Sequence, residues 1–314
     1  LAPEKYDYEN NTYYFAIGAN YLRVKQVEIL IDEDIRLNAT GTYTDYTNSF
    51  NRVIISNYGG LLIAGDFSSS EVSLDDGSKI TNNYARNKDA LIIKYDVNEN
   101  TEWAIGFGGT GNDSLQDILE TTDGGMIVVG DFDSQTINLP NGTVLNRVGN
   151  TDGMIVKYNV NKEIEWAQTI TGSGTENMKE IRELSNGDYI VSATFTSNTI
   201  NVCGTSINKN VQGTSINTVI FRISKNGQLM WYKIIGADKT DDLSNITISN
   251  KNEIYVAGYY TSSTLNLDEN NIINNYEQSS TTTNALIIKY DIDGNILNTE
   301  IIEGNINEKI VDII

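Results

Sequence analysis

The sequence predicts an all-β protein: a five-bladed β-propeller of four-stranded antiparallel blades, with the N- and C-terminal strands sharing one blade. Three observations lead to it. Short strand-forming runs alternate with turn-forming residues throughout, one period keeps five copies of a unit in step, and the two ends of the chain are complementary fragments of that unit.

The strand chemistry is plain. Runs rich in Ile, Val, Tyr and Thr are separated by Asn, Gly, Asp and Ser, and only 2 prolines interrupt them. Three tryptophans anchor the period, in Glu102-Trp103-Ala104, Glu165-Trp166-Ala167 and Met230-Trp231-Tyr232, spaced 63 and 65 residues apart. A step of 65 back from Trp103 reaches Asn38, and a step of 67 beyond Trp231 reaches Asn298. Ten residues after the anchors stand Asn48, Asp113, Glu176, Asp241 and Glu308. Fourteen residues after them stand Arg52, Asp117, Glu180, Asn245 and Asp312, each followed by an aliphatic residue. Thirteen residues further on, Gly65, Gly130, Ala193 and Gly258 each close an apolar run.

Each unit reads as four strands plus an extra polar hairpin. In the second unit the strands are expected over 116–120, 126–132, 153–158 and 163–170, with the hairpin over 136–145. Strands two and three are apolar without alternation, as in sheets covered on both faces. Such a sheet cannot stand alone and must stack on its neighbours, and radial stacking gives a propeller. The last residues, 309–314, supply only a first strand, whereas 13–18 and 27–31 match strands two and three. The expectation is one domain, 1–314, with blades over 49–112, 113–176, 177–241 and 242–307, and a closing blade of 308–314 plus 1–48.

Composition excludes several function classes. With 22 Lys+Arg against 42 Asp+Glu the net charge is −20, which repels nucleic-acid phosphates and anionic lipid. The chain contains no histidine, which removes imidazole bases, Ser-His-Asp and Cys-His catalysis and HExxH zinc chemistry. Cys203 stands alone, so no intrachain disulfide forms, and no apolar run is long enough to insert into a membrane. The chain opens on Leu1 rather than Met and reads as a segment trimmed from a longer protein.

The stretches Asp89-Ala90-Leu91-Ile92-Ile93-Lys94-Tyr95-Asp96, Asp152-Gly153-Met154-Ile155-Val156-Lys157-Tyr158 and Ala285-Leu286-Ile287-Ile288-Lys289-Tyr290-Asp291 share one pattern, joined by Gly108-Gly109-Thr110-Gly111-Asn112-Asp113. In this pattern the chain resembles the bacterial secreted β-propeller repeat family with DxxIVKYDxxGNxxWA-type repeats, across 49–302 and more weakly in 1–48. The resemblance implies an exported or cell-surface location and a place within a larger multidomain protein. It implies no ligand and no catalytic residue.

The candidate site is the acidic series. Asp113, Glu176, Asp241 and Glu308 are expected near the entry of each inner strand, with Asp117, Glu180 and Asp312 on those strands, as a ring at the mouth of a central channel. Such a ring could bind a cationic group or Ca²⁺, the latter at Asp113 and Asp117, and otherwise no cofactor is expected. The competing reading makes each acid a cap for backbone N–H groups of its own turn, or a partner for a neighbouring blade. A third makes Asp117, Glu180 and Asp312 the carboxyls of a glycosidase. Lys94, Lys157, Arg222 and Lys289 are expected to pair with these acids between blades, and the tryptophans to pack between blades. Asp291-Ile292-Asp293-Gly294-Asn295 resembles the opening of a calcium loop but reads as a hairpin turn.

The segments freest to carry function are the polar hairpin regions 67–88, 132–151, 195–216 and 260–283, with an aromatic cluster of Tyr13, Tyr14, Tyr21, Tyr43, Tyr46 and Phe50 as a further candidate. The expectation is a non-catalytic extracellular module for binding or adhesion whose loops meet a protein or glycan on a surface. The alternatives are a carbohydrate-active glycoside hydrolase with carboxylates at the channel mouth, and a structural spacer of a larger surface protein.

Overall fold

In the computed structural model the described residues are 48–313, apart from 75–76, 85, 269–270, 275–282 and 305–306, together with the backbone of Lys5–Asp7, Thr12–Ile17, Asn20–Arg23 and Asn38–Ala39. Every regular element among them is a β-strand. Four antiparallel sheets follow one another along the chain, each built from four strands that pair in order. The first holds Asn48–Ile55, Leu61–Phe67, Asp89–Tyr95 and Thr101–Phe107. The second holds Asp113–Glu120, Met126–Phe132, Asp152–Tyr158 and Ile164–Gly172. The third holds Glu176–Glu183, Tyr189–Phe195, Asn217–Ile223 and Leu229–Ile235. The fourth holds Asp241–Ile248, Ile254–Tyr260, Asn284–Tyr290 and Ile296–Ile302.

Side-chain alternation explains why the sheets stack. Successive residues of a strand point to opposite faces. In the second sheet Val128 and Met154 pack with Leu62, Ala64 and Ile92 of the first, whereas Ile127, Val129 and Ile155 pack with Val191, Val219 and Phe221 of the third. Ile190 and Ile220 of the third then meet Val256 and Leu286 of the fourth. Both faces of the middle strands are thus apolar and buried, at about 1.5–3 kcal/mol for each large aliphatic side chain.

Tight turns join strands three and four, and a carboxylate, amide or hydroxyl opens each. Asp96 Oδ1 accepts from Asn98 N–H (2.8 Å), and Asn159 Oδ1 from Asn161 N–H (2.9 Å). One position in each turn has a left-handed backbone: Glu99 (φ 68°), Lys162 (φ 65°), Gly227 (φ 77°) and Gly294 (φ 80°).

The hairpins join strands two and three at the other end. Each buries apolar side chains beneath it, among them Val72, Ile137, Ile200 and Leu265. They also reach back to the preceding sheet, which the sequence did not reveal. Thr199–Val202 pairs with the end of Ile164–Gly172, with Thr171 opposite Asn201, and the bridge between Gly236 and Asn266 repeats that contact at the next boundary.

The same contact corrects the first repeat. Asn38 pairs with Ser73 and Ala39 with Val72, the register Thr171 and Gly172 adopt against Asn201 and Ile200. Thr171 lies five residues beyond Trp166, so Asn38 stands five residues past the tryptophan position, and the connection to Asn48 is correspondingly longer.

The strand expected over 309–314 is not formed in the described residues 307–313. A strand needs a ladder partner, and its expected one, Thr12–Ile17, pairs with Lys5–Asp7 and Asn20–Arg23. Residues 27–31, expected as a third strand, lie outside the described residues. The C-terminal segment nonetheless repeats inner-strand contacts: Glu308 N–H donates to Thr283 O (3.0 Å) as Glu176 N–H does to Thr151 O (2.9 Å). Ile313 N–H bonds Asp312 Oδ1 (2.8 Å) as Ile118 N–H bonds Asp117 Oδ1 (2.9 Å).

Candidate functional site: the carboxyls between sheets

Asp113, Glu176 and Asp241 begin the inner strands of the second, third and fourth sheets and are fully buried. Asp113 accepts from Gly109 N–H (2.8 Å), Ser134 N–H (3.2 Å) and Ser134 Oγ (2.6 Å). Asp241 accepts from Ala237 N–H (3.0 Å), Thr261 N–H (2.9 Å), Ser262 N–H (3.1 Å) and Ser262 Oγ (2.7 Å). Glu176 accepts from Ser197 Oγ (2.5 Å). Asp113 and Asp241 therefore tie the loop entering their strand to the loop leaving the next one, whereas Glu176 bonds the latter loop and the entering Gly172 N–H donates to Asp152 (3.2 Å). The serine lies 21 residues after the acid in all three copies, a signal present in the sequence that the period alone did not single out. Glu308 is half-buried against Gly304.

The inner-strand acids link successive sheets. Asp117, 2% exposed, accepts from Ile181 N–H (3.0 Å) and Arg182 Nη1 (2.7 Å) of the third sheet, while Arg52 Nε of the first lies 3.0 Å from its other oxygen. One carboxylate thereby joins three sheets. Glu180 repeats the contact one sheet on, accepting from Ile246 N–H (2.8 Å), and Arg182 Nη2 also reaches it (3.0 Å). Burial pushes the Glu180 carboxyl up, and Arg182 pulls it down. Asn245 carries the chain of contacts forward by donating to Ile310 O (3.3 Å), while Asp312 is exposed.

At two boundaries a second buried carboxyl faces the first. Asp152 meets Glu176, and Asp89 meets Asp113. Burial pushes Glu176 up to about 7, with Asp152 adding to the rise, and Asp113 up to about 6, with a smaller push from Asp89. Glu176 Oε2 and Asp89 Oδ1 have no hydrogen-bond donor. At the next boundary Asn217 replaces the aspartate, and its amide donates to Ala237 O (3.3 Å). Asp131 also lies at the second-to-third boundary, where it accepts from Met178 N–H (2.5 Å), and burial pushes it up to about 7. Among the described residues no three His, Cys, Asp or Glu side chains stand close enough to share one ion.

The third-strand cations depart from expectation. They pair mostly within their own sheet, with acids of turns or of the fourth strand rather than inner-strand acids: Lys157 with Asp123 (2.9 Å) and Glu165 (3.2 Å), and Lys289 with Glu253 (2.9 Å). Arg222 pairs with Asp188 (2.6 Å) and also donates to Ile292 O of the fourth sheet (2.9 Å). The reason is reach, because these residues end strand three beside the strand-one-to-two turn, a full strand length from Asp113 or Asp241. The tryptophans do pack between sheets. Trp166 Nε1 donates to Lys225 O (2.9 Å) and Trp231 Nε1 to Ile292 O (3.0 Å), each ring covering the next sheet's turn. Asp291 opens an ordinary hairpin turn, with its side chain accepting from Asp293 and Asn295 N–H.

A cleft of about 290 Å³ reaches this region, lined by Lys179, Glu180, Asp242, Asn245, Tyr259 and Lys309. Of the aromatic cluster only Phe50 has a described side chain, and it is exposed. No family model and no curated protein matches the chain. Among the described residues no helix is long and apolar enough to cross a membrane.

Proposed function

We propose that the chain is a non-catalytic, exported binding module, a five-bladed ring closed by its own two ends that presents hairpins to a protein or glycan on a surface. One observation carries this reading. Most of the recurring acids, third-strand cations and tryptophans are taken up in holding sheets and turns together, while every hairpin region keeps an exposed apolar side chain: Tyr84, Val148, Ile216 and Ile272. Apolar contacts on a polar rim, borne by loops of a rigid scaffold, are what a binding surface requires.

Closure is supported from both sides. Phe50, Val53 and Ile55 of the first sheet and Leu297, Ile301 and Ile302 of the fourth are exposed, so the two flanks a closing sheet would cover are both apolar. Asn38–Ala39 already lies against the first hairpin, and 307–313 keeps inner-strand contacts with the fourth sheet. Removing residues 1–47 is expected to lower the melting temperature and cause self-association, and an unchanged monomeric melt overturns closure.

Glycan-array and surface-protein binding, compared with a Tyr84→Ala/Val148→Ala/Ile272→Ala variant, tests the function. Binding lost at unchanged melting temperature supports it. The hydrolase reading has one observation in its favour, Glu180 on a cleft with a raised pKa. Release of reducing sugar that stops in Glu180→Gln would replace the binding reading.

A further inference from the structure

The tryptophan contacts are not equivalent at the three boundaries. A Cβ placed on Gly227 would lie 2.9 Å from the Trp166 ring, and one on Gly294 3.1 Å from Trp231, so each indole closes onto bare backbone. At the first boundary the corresponding turn residue is Lys162, which has a Cβ and the same left-handed backbone (φ 65°). There the Trp103 ring meets a side chain rather than bare backbone. Lys162 Nζ instead lies 5.4 Å from its centroid, and Trp103 Nε1 has no hydrogen-bond partner among the described residues. A cleft of about 250 Å³ remains between the first and second sheets, with Tyr58, itself 73% exposed, on its wall.

We infer that this cleft is a binding site for a neutral pyranose, as a free sugar or a residue of a glycan. Its polar lining balances in charge, with Lys94 and Lys162 against Glu102 and Glu120, and Lys94 and Glu102 pair at 3.4 Å. In a chain of net charge −20, that balance disfavours selection for either an anion or a cation. Indole and phenol rings offer apolar faces to the C–H face of a sugar, while Lys162 and the half-exposed Glu102 donate to and accept from its hydroxyls; Lys94 is held by Gly59 O, Tyr95 O and Glu102, and Glu120 by Ser56 and Asn57. The site lies at the end of the sheets opposite the hairpins, so it stands or falls separately from the hairpin reading.

The test is titration with methyl β-D-glucopyranoside and methyl β-D-galactopyranoside, followed by tryptophan fluorescence and calorimetry, with glucuronate and choline as charged controls. A pyranoside is expected to bind with a dissociation constant on the order of 1 mM. Trp103→Ala should abolish binding. Lys162→Gly, which supplies the glycine that Trp166 and Trp231 meet, should let Trp103 close and weaken binding at least about tenfold without lowering the melting temperature. Gly227→Lys should open a second cleft and raise the stoichiometry. Failure of both pyranosides to bind, binding that survives Lys162→Gly, or preference for either charged control overturns the inference.

Discussion

The boundary between the second and third sheets and the boundary between the third and fourth are built on one plan with different chemistry. At the former, Asp117, Asp131, Asp152 and Glu176 are four carboxyls at four repeat positions, whereas the latter places Glu180, Thr194, Asn217 and Asp241 at the same positions. Two acids have thus become neutral. Where Asn217 stands, its amide donates to a carbonyl, and Asp241 finds a donor for each oxygen. Where Asp152 stands, the facing carboxyl oxygen of Glu176 has none. Apolar stacking is common to both boundaries, and the polar positions decide how each responds to pH.

The largest effect expected is from Asp117→Ala, which leaves Arg52 and Arg182 without their shared carboxylate and unties three sheets at once. A loss of about 3–5 kcal/mol in equilibrium urea unfolding is expected. Glu180→Ala removes a single interstrand backbone contact and shares only Arg182, so about 1–2 kcal/mol is expected. Equal losses would show that the two boundaries are not distinguished by these acids. Between these two in size is Asn217→Asp, which recreates the acid pair of the earlier boundary beside Asp241 and leaves the Ala237 carbonyl only its bond from Ser215 Oγ. It should cost about 2–3 kcal/mol at pH 8 and much less at pH 4, where an added carboxyl stays protonated.

Much of this was legible in the sequence. The period placed all four sheets, and apolar runs such as Leu61–Phe67 marked the strands covered on both faces. The period marks Asp113, Glu176 and Asp241 as turn caps or a channel ring; Asp113 and Asp241 accept from backbone N–H groups as caps do, whereas Glu176 accepts from the Ser197 hydroxyl. What escaped was whatever depends on neighbours far away in sequence. Asp117 was marked as an inner-strand acid, but the arginines that hold it come from other repeats, 65 residues away on either side. The hairpin pairing of Thr199–Val202 joins two units and leaves no local pattern. The slip at Asn38 arose because a count of ten residues to Asn48 fits the period even when a longer connection has shifted the strand behind it. Lys162 differs from Gly227 by one residue in an aligned turn, and only the ring packed above it shows what that change opens.

An effect as small as that of Glu180→Ala, and opposite in sign, comes from Glu176→Gln. The amide places a donor where Oε2 faces Asp152, so the variant converts an acid pair into the acid–amide pair already present at Asn217 and Asp241. Below about pH 4.5, the ordinary value for a glutamate, Glu176 is protonated folded or unfolded, and the contact costs nothing. As pH rises, the unfolded chain ionises first, while the folded chain keeps the proton until about 7. Stability attributable to Glu176 is therefore present at low pH, falls between these values and stays low above them. Asp113, raised to about 6, contributes a fall of the same sign that ends earlier. In Glu176→Gln the contributions of Asp113 and of Asp131, raised to about 7, should persist while the decline between about 6 and 7 becomes shallower, leaving the variant about 1–2 kcal/mol more stable than the parent at pH 8 and near parity at pH 4. Unfolding free energies at pH 4, 6 and 8 measure this directly. A variant that parallels the parent across that range would mean Asp152 and Glu176 do not share a proton, and the contrast between the two boundaries would then rest on the Asp117 contacts alone.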